Sequence, residues 1–374
     1  EYKEKLWLGT DGGLIIYNPK DESYEYCPLH VPRSVTNNEV KYIQKEGDHL
    51  LWISIYYCGL YLYDMETRRI IKEIPDFPYN QVRRIAKGTD NIYWIALGVD
   101  SPILRYHMEN NQLEESFPVK GRATELSIIN VQDLKAIGPY IWMGTRAAGL
   151  YRYHTQTHEL KHFGSEEKSP EQFLPSNHVS TLYTDASENL WIGTYGNGVY
   201  SFDPKTESFN RLYYQASDDR VLSLYESPEG LLYIGTHFGG LDIVHLNTRS
   251  VTNYSVQNRN FPDSQIEAIF RDSYGDTWVG TWKGLMRFIK GKKEPELIEL
   301  DELKNAKVNC IEENRLGQLW IGTEYFLCSI KLKESDEEIK KADTKFYYES
   351  ETETGLSYLS LIHISEPTRR TPIS

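Results

Sequence analysis

The sequence predicts an all-β fold, a β-propeller of four-stranded blades, and three observations carry that reading. The stretch Leu190 to Asp203, LWIGTYGNGVYSFD, recurs in eight copies, whose aromatic markers Trp7, Trp52, Trp94, Trp142, Trp191, Tyr233, Trp278 and Trp320 stand 42 to 49 residues apart. Within a copy, apolar residues alternate with small or polar ones over short runs, which is the period of a strand. A fixed period in this range marks a supersecondary unit that cannot bury its apolar face alone and must stack on its neighbours.

Each strand of the unit has its own signal. The inner strand starts at a β-branched residue twelve positions before the marker, at Val40, Val82, Val179, Val221, Ile266 and Val308, with Ile43, Ile85, Leu182, Leu224, Ile269 and Ile311 three residues on. The copy at Trp142 is offset by one, with Val131 and Leu134, as a turn shortened by one residue produces. The second strand carries the marker and ends in Gly-Thr in the best-kept copies. A Gly-rich turn such as Tyr195-Gly196-Asn197-Gly198 then supplies the positive φ that a hairpin needs. The third strand follows, then a polar turn, Pro204-Lys205-Thr206, and a fourth strand, Ser208 to Tyr213. Four antiparallel strands per ~45 residues is a propeller blade.

Taken in order, residues 1 to 5 lead directly into a second strand, so the first copy is partial and lacks its inner strand. Copies two and three replace Gly-Thr by Ser54-Ile55 and Ala96-Leu97, and copy three has Ser101-Pro102 in a longer turn. Long connections at residues 28–39, before Val131, and from Gly164 to Asn177 map to one face of a propeller. Copies two to eight, each with four strands, are expected to close a seven-bladed ring, with the first copy at its seam or in a preceding unit; eight-bladed closure is the alternative. The propeller is expected to span residues 1–358. Leu359 to Arg369, LSLIHISEPTR, resembles the conceptual translation of a transposase adapter used in sequencing libraries, so residues 359–374 read as a disordered, adapter-derived tail. The start at EYKEK, without Met or signal peptide, predicts a fragment of a longer chain.

Composition narrows the function classes. The 374 residues are 40% hydrophobic and 13% aromatic, ample for one radially built domain, and the 28 Tyr suit strands. A net charge of −13, from 41 Lys and Arg against 54 Asp and Glu, disfavours a polyanionic partner, and no basic run interleaved with aromatics points to nucleic acid. No apolar stretch is long enough to span a membrane. Cys27, Cys58, Cys310 and Cys328 form no C-x-x-C pair and read as small buried hydrophobes.

The chemistry-bearing motifs are sparse. His154, His158 and His162, at i, i+4 and i+8, would face one side of a helix and suggest zinc, but the repeat puts them on a third strand, a turn and a fourth strand, so no metal site is expected. There is no nucleophile elbow, H-E-x-x-H or phosphate loop, and Gly-Thr closes a strand where a phosphate cradle would open a helix. Neither catalytic residues nor a cofactor are expected. What varies between copies is the turn after Gly-Thr, which should lie on the face of the blade-to-blade connections, around one mouth of the channel. These turns carry Asp11, Tyr56 and Tyr57, Arg146, Tyr195 and Asn197, His237 and Phe238, Trp282 and Lys283, and Glu324 and Tyr325. Flat aromatic faces beside amide, carboxylate and basic groups suit a sugar ring; the plainer reading is that they pack between blades. Trp282 stands out as the tryptophan out of phase with the repeat.

The pattern L-W-I-G-T-x-x-G-L-x-x-Y/F-D/N, well kept in at least five copies, resembles the two-component regulator propeller repeat over nearly all of residues 1–354. The resemblance implies the periplasmic sensor region of a hybrid two-component system of polysaccharide-degrading bacteria. Such a protein has a second propeller, an immunoglobulin-like module, a transmembrane helix, a histidine kinase, a receiver and often a DNA-binding domain. It implies an oligosaccharide ligand, control of polysaccharide-utilisation genes, a homodimer in the full-length protein, and membrane attachment only through the downstream helix. A propeller enzyme acting on polysaccharide, a lyase or glycosidase, and a non-catalytic interaction scaffold are the alternatives.

Overall fold

In a computed structural model, the described residues are 1–348 without 11, 22, 28, 30, 32–38, 79–80, 99–102, 116–129, 167–172, 259–260 and 334–338. They form eight antiparallel sheets, seven of four strands and one of three, the first. Blade 1 comprises Leu6–Thr10, Gly13–Asn18 and Ser23–Cys27, and among the described residues it has no inner strand. Blades 2 to 8 begin with the inner strands Val40–Glu46, Val82–Lys87, Val131–Ile137, Val179–Thr184, Val221–Glu226, Ile266–Arg271 and Val308–Glu313. Blade 5 is typical: Val179–Thr184, Leu190–Thr194, Val199–Asp203 and Ser208–Arg211 pair in sequence order.

The stacking unit is the apolar layer between one blade and the next. Trp142 of blade 4 shares a buried cluster with Val179, Leu182 and Ile192 of blade 5, and Trp191 of blade 5 shares one with Val221, Leu224 and Ile234 of blade 6. Trp191 also donates its indole N–H to Glu226 Oε2 of blade 6 at 2.9 Å. The Gly of Gly-Thr has a packing reason. A Cβ on Gly144, Gly193, Gly235 or Gly280 would stand 2.5 to 2.8 Å from a methyl of the next blade's first inner residue, Val179, Val221, Ile266 or Val308. Thus the β-branched start and the glycine are two halves of one contact. Blades 2 and 3 have Ser54 and Ala96 at the glycine position, small residues that are almost fully buried. The Thr hydroxyl clamps the following turn: Thr194 Oγ1 donates to Gly198 O at 2.8 Å and accepts from Asn197 N at 3.2 Å, and Thr145, Thr236, Thr281 and Thr323 do likewise.

The expected seven-bladed ring is corrected to eight blades. Blade 8 packs directly on blade 1: Tyr17 lies edge-on to Trp320 at 5.6 Å and its hydroxyl bonds that of Tyr347 at 2.7 Å, while Arg315 N donates to Glu1 Oε2 at 2.7 Å. Tyr17, Trp320 and Leu327 form the buried cluster that closes the ring. Elsewhere in the ring a blade meets its neighbour chiefly through its inner strand; at this seam Tyr17, Trp320, Leu327 and Tyr347, from the outer three strands of the two blades, carry the contact instead. The tail, residues 349–374, lies outside the described residues, as does the turn at Ser101-Pro102. Among the described residues no helix is long and apolar enough to cross a membrane.

Candidate functional site

In blades 2 to 7 the turn after the second strand is tied by its backbone to the residue preceding the inner strand. Tyr56 N donates to Glu39 O, Arg146 N to Asn130 O, Tyr195 N to His178 O, His237 N to Arg220 O and Trp282 N to Gln265 O, at 2.8 to 3.2 Å. These turns therefore share a face with the blade-to-blade connections, around one mouth. A second ring of variable residues borders it, one that sequence reasoning missed. In all seven complete blades the inner strand carries a β-bulge after its first residue, so Lys41, Arg83, Gln132, Ser180, Leu222, Glu267 and Asn309 drop out of register. A bulge re-aims a side chain and is over-represented beside functional sites. The signal was present as the variable position between the fixed residues of V-x-x-I/L.

The site residues fall into three groups. The most connected joins blades 5 and 6: the Tyr195 hydroxyl bonds His237 Nδ1 at 2.6 Å, His178 stacks on Tyr195 at 4.9 Å, and Phe238 lies 3.9 Å from His237 with the Arg220 guanidinium 4.3 Å over its ring. Asp218 holds this corner by accepting from Arg220 Nε at 2.8 Å and from Phe238 N at 2.8 Å. Asn197 sits in the same turn, which Gly196 N and Gly198 N pin to Asp219 O. Burial, and next the charge of Arg146, hold the His178 imidazole below its usual pKa, so it is neutral at pH 7.

The second group is at blade 7. Trp282 is 44% exposed, donates its indole N–H to Glu267 Oε1 at 2.5 Å and lies under the Lys307 ammonium at 4.6 Å. Lys283 turns to Asp263 at 3.4 Å. The third is at blade 2, where Tyr56 and Tyr57 lie 4.1 Å apart and Lys41 stands 5.7 Å over Tyr56. Arg146, Glu324 and Tyr325 are exposed on the turns of blades 4 and 8, and Tyr325 is 71% exposed. Asp11 lies outside the described residues. The exposed aromatics Tyr57, Phe238, Trp282 and Tyr325 are thus not consumed by packing between blades. A shallow concavity lined by Ile71, Lys72, Pro75, Asp76 and Asn111 sits at the outer edge of blades 2 and 3, away from this mouth.

The three histidines have structural partners. His154 Nδ1 accepts from Gln156 N and Thr157 N, His158 Nδ1 bonds the Tyr153 hydroxyl at 2.7 Å, and His162 Nε2 bonds Ala148 O at 2.7 Å. His154 does what Asp203 does for Lys205 N in blade 5, capping the turn after the third strand. Among the described residues no group of three or more His, Cys, Asp or Glu side chains is arranged to hold a metal.

The chain is similar to several known proteins. Residues 174–196 and 260–283 match the family described as two component regulator propeller. A histidine kinase P4 of Formosa agariphila is 23% identical over 294 residues, which cover 76% of this chain and 18% of that protein. The chain therefore spans under a fifth of the curated relative it matches. Among solved structures, the C-terminal WD40 domain of Sif2 superposes with a TM-score of 0.62 at 11% identity, covering 86% of this chain and 90% of that one. The extracellular domain of a putative one component system of B. thetaiotaomicron gives a TM-score of 0.48 at 21% identity, covering 93% of this chain and 54% of that one.

Proposed function

We infer that this chain, which carries two-component regulator propeller repeats, is the ligand-sensing part of a hybrid two-component signalling protein and recognises an oligosaccharide at the mouth of its ring. The observation that supports the reading is the division of labour within the repeat. Trp, Gly-Thr and the β-branched start are spent on stacking, whereas the bulge residues and the turns differ in every blade and leave aromatic faces exposed beside charged and amide groups. Sugar rings offer apolar C–H faces to such aromatics and hydroxyls to such polar groups. The domain binds and does not catalyse; its output is carried by a histidine kinase elsewhere in the full-length protein, and the relevant genes are those for using the polysaccharide. A periplasmic location, a second propeller, an immunoglobulin-like module, a downstream membrane helix and a homodimer belong to the same proposal. So does the assignment of residues 359–374 to an adapter-derived tail.

Trp282 is the residue to test. Calorimetry of the intact sensor region against a panel of oligosaccharides should show a binder whose affinity drops by about 1–3 kcal/mol on Trp282→Ala, the scale of a lost aromatic contact with its buried area. Unchanged affinity in a folded variant would take Trp282 out of the site.

A further inference from the structure

On the sector of the mouth between blades 3 and 5, we propose a subsite for an anionic sugar group, a uronate carboxylate or a sulfate ester. The proposal rests on the oligosaccharide reading above and refines it. Arg83 occupies the bulge of blade 3, half-buried, and its Nη1 donates to Asn130 Oδ1 at 3.3 Å and to Val131 O at 3.2 Å. Both acceptors are neutral. Nε and Nη2 have no acceptor, and the guanidinium no carboxylate, among the described residues. Asn130 is a hinge between two cations, because its carbonyl also accepts the Arg146 backbone N–H at 2.9 Å. The exposed Arg146 side chain likewise has no ion-pair partner among the described residues.

This is unusual for the chain. Among the described residues, other cations at the mouth are matched: Lys41 by Glu39, Arg220 by Asp218, Lys283 by Asp263 and Lys307 by Glu267. Arg84, next to Arg83, pairs with Asp133 at 3.3 Å. Burial, and then the charges of Arg84 and Arg146, hold Arg83 below the usual guanidinium range, so the pair repels itself and a bound anion would relieve that repulsion. Arg presents a planar fork suited to bidentate contact with carboxylate or sulfate. Beyond Arg146 stand His178 and the Tyr195 face, so a charged group on the arginines leaves a sugar ring next to an aromatic platform. The net charge of −13 does not oppose this, since it repels an extended polyanion much more than a short oligosaccharide whose charge is met locally.

The test uses the intact chain and length-matched galactose-based probes: neutral, bearing galacturonate carboxylates, or bearing sulfate esters. At least one acidic probe is expected to bind about tenfold or more tighter than the neutral one, with affinity falling as salt rises, and the better acidic probe identifies the source of the charge. Arg83→Gln and Arg146→Gln should each bring it down towards the neutral probe. Arg146→Gln alters an exposed side chain and guards against a folding defect at Arg83. Equal binding of neutral and acidic probes, or acidic binding that neither variant weakens, would overturn the anionic subsite and leave the sugar reading standing. Failure of all three probes, and of the wider neutral panel with Trp282 intact, would remove the sugar reading itself.

Discussion

Asp276→Ala is expected to destabilise the ring by about 3–5 kcal/mol, the scale of a buried charge left without its partner. Arg287 and Asp276 are both fully buried in blade 7, with Arg287 Nη2 2.7 Å and Nε 2.8 Å from Asp276 Oδ2. Asp276 Oδ1 also accepts Lys290 N at 2.8 Å, and the Trp278 indole lies 5.4 Å under the guanidinium. Truncation leaves Arg287 with the half-exposed Glu296 at 3.1 Å, too little to offset its desolvation. Urea denaturation should therefore show a lower midpoint with little change in slope. Replacing both residues, Asp276→Val with Arg287→Met, should recover part of the loss, because the apolar pair is closer in volume and leaves no buried charge, while the Lys290 N–H still loses its acceptor. A single variant as stable as the parent would mean that the pair is solvated and the blade 7 interior is not closed.

Trp191→Ala is expected to cost about as much, on the order of 3–5 kcal/mol, by a different route. It opens a cavity at the blade 5 to blade 6 interface and leaves Glu226, whose carboxyl burial holds above its usual pKa, without the indole donor. Because each blade touches only its neighbours, the damage should be local, and hydrogen exchange should rise first in blades 5 and 6. A near-neutral Trp191→Ala would contradict the claim that the repeated aromatic exists to stack blades.

The architecture was legible in the sequence because its determinants are local and repeated. The β-branched start at Val179 returns in every complete blade, the aromatic at Trp191 in all eight and Gly193-Thr194 in six, and strand order within a blade follows from turns too short for any other pairing. The blade count was not legible: closure depends on Tyr17 meeting Trp320 and Tyr347 across the whole chain, a contact with no periodic trace. The bulges that release Arg83 and Glu267 were also missed, since pattern matching reads V-x-x-I as an uninterrupted strand. The mouth was legible as a set of variable turns but not as clusters. Tyr195 with His237, and Trp282 with Glu267 and Lys307, are pairings fixed by tertiary geometry between residues the repeat treats as independent. The buried Arg287 and Asp276 left no sequence signal, because each looks like an ordinary solvated charge until the register of blade 7 is known.

On the proposed function, stacking and sensing occupy different residues of one repeat, with sensing at the mouth. Hydrogen–deuterium exchange of the intact sensor region, with and without the neutral, uronate and sulfate-bearing galactose oligosaccharides, tests it most directly. The account predicts ligand-dependent protection in the turns at 195–198, 237–240 and 282–284 and in the bulged starts of the inner strands, with the outer strands unchanged. Protection confined to the outer strands, or to the concavity between blades 2 and 3, would contradict it.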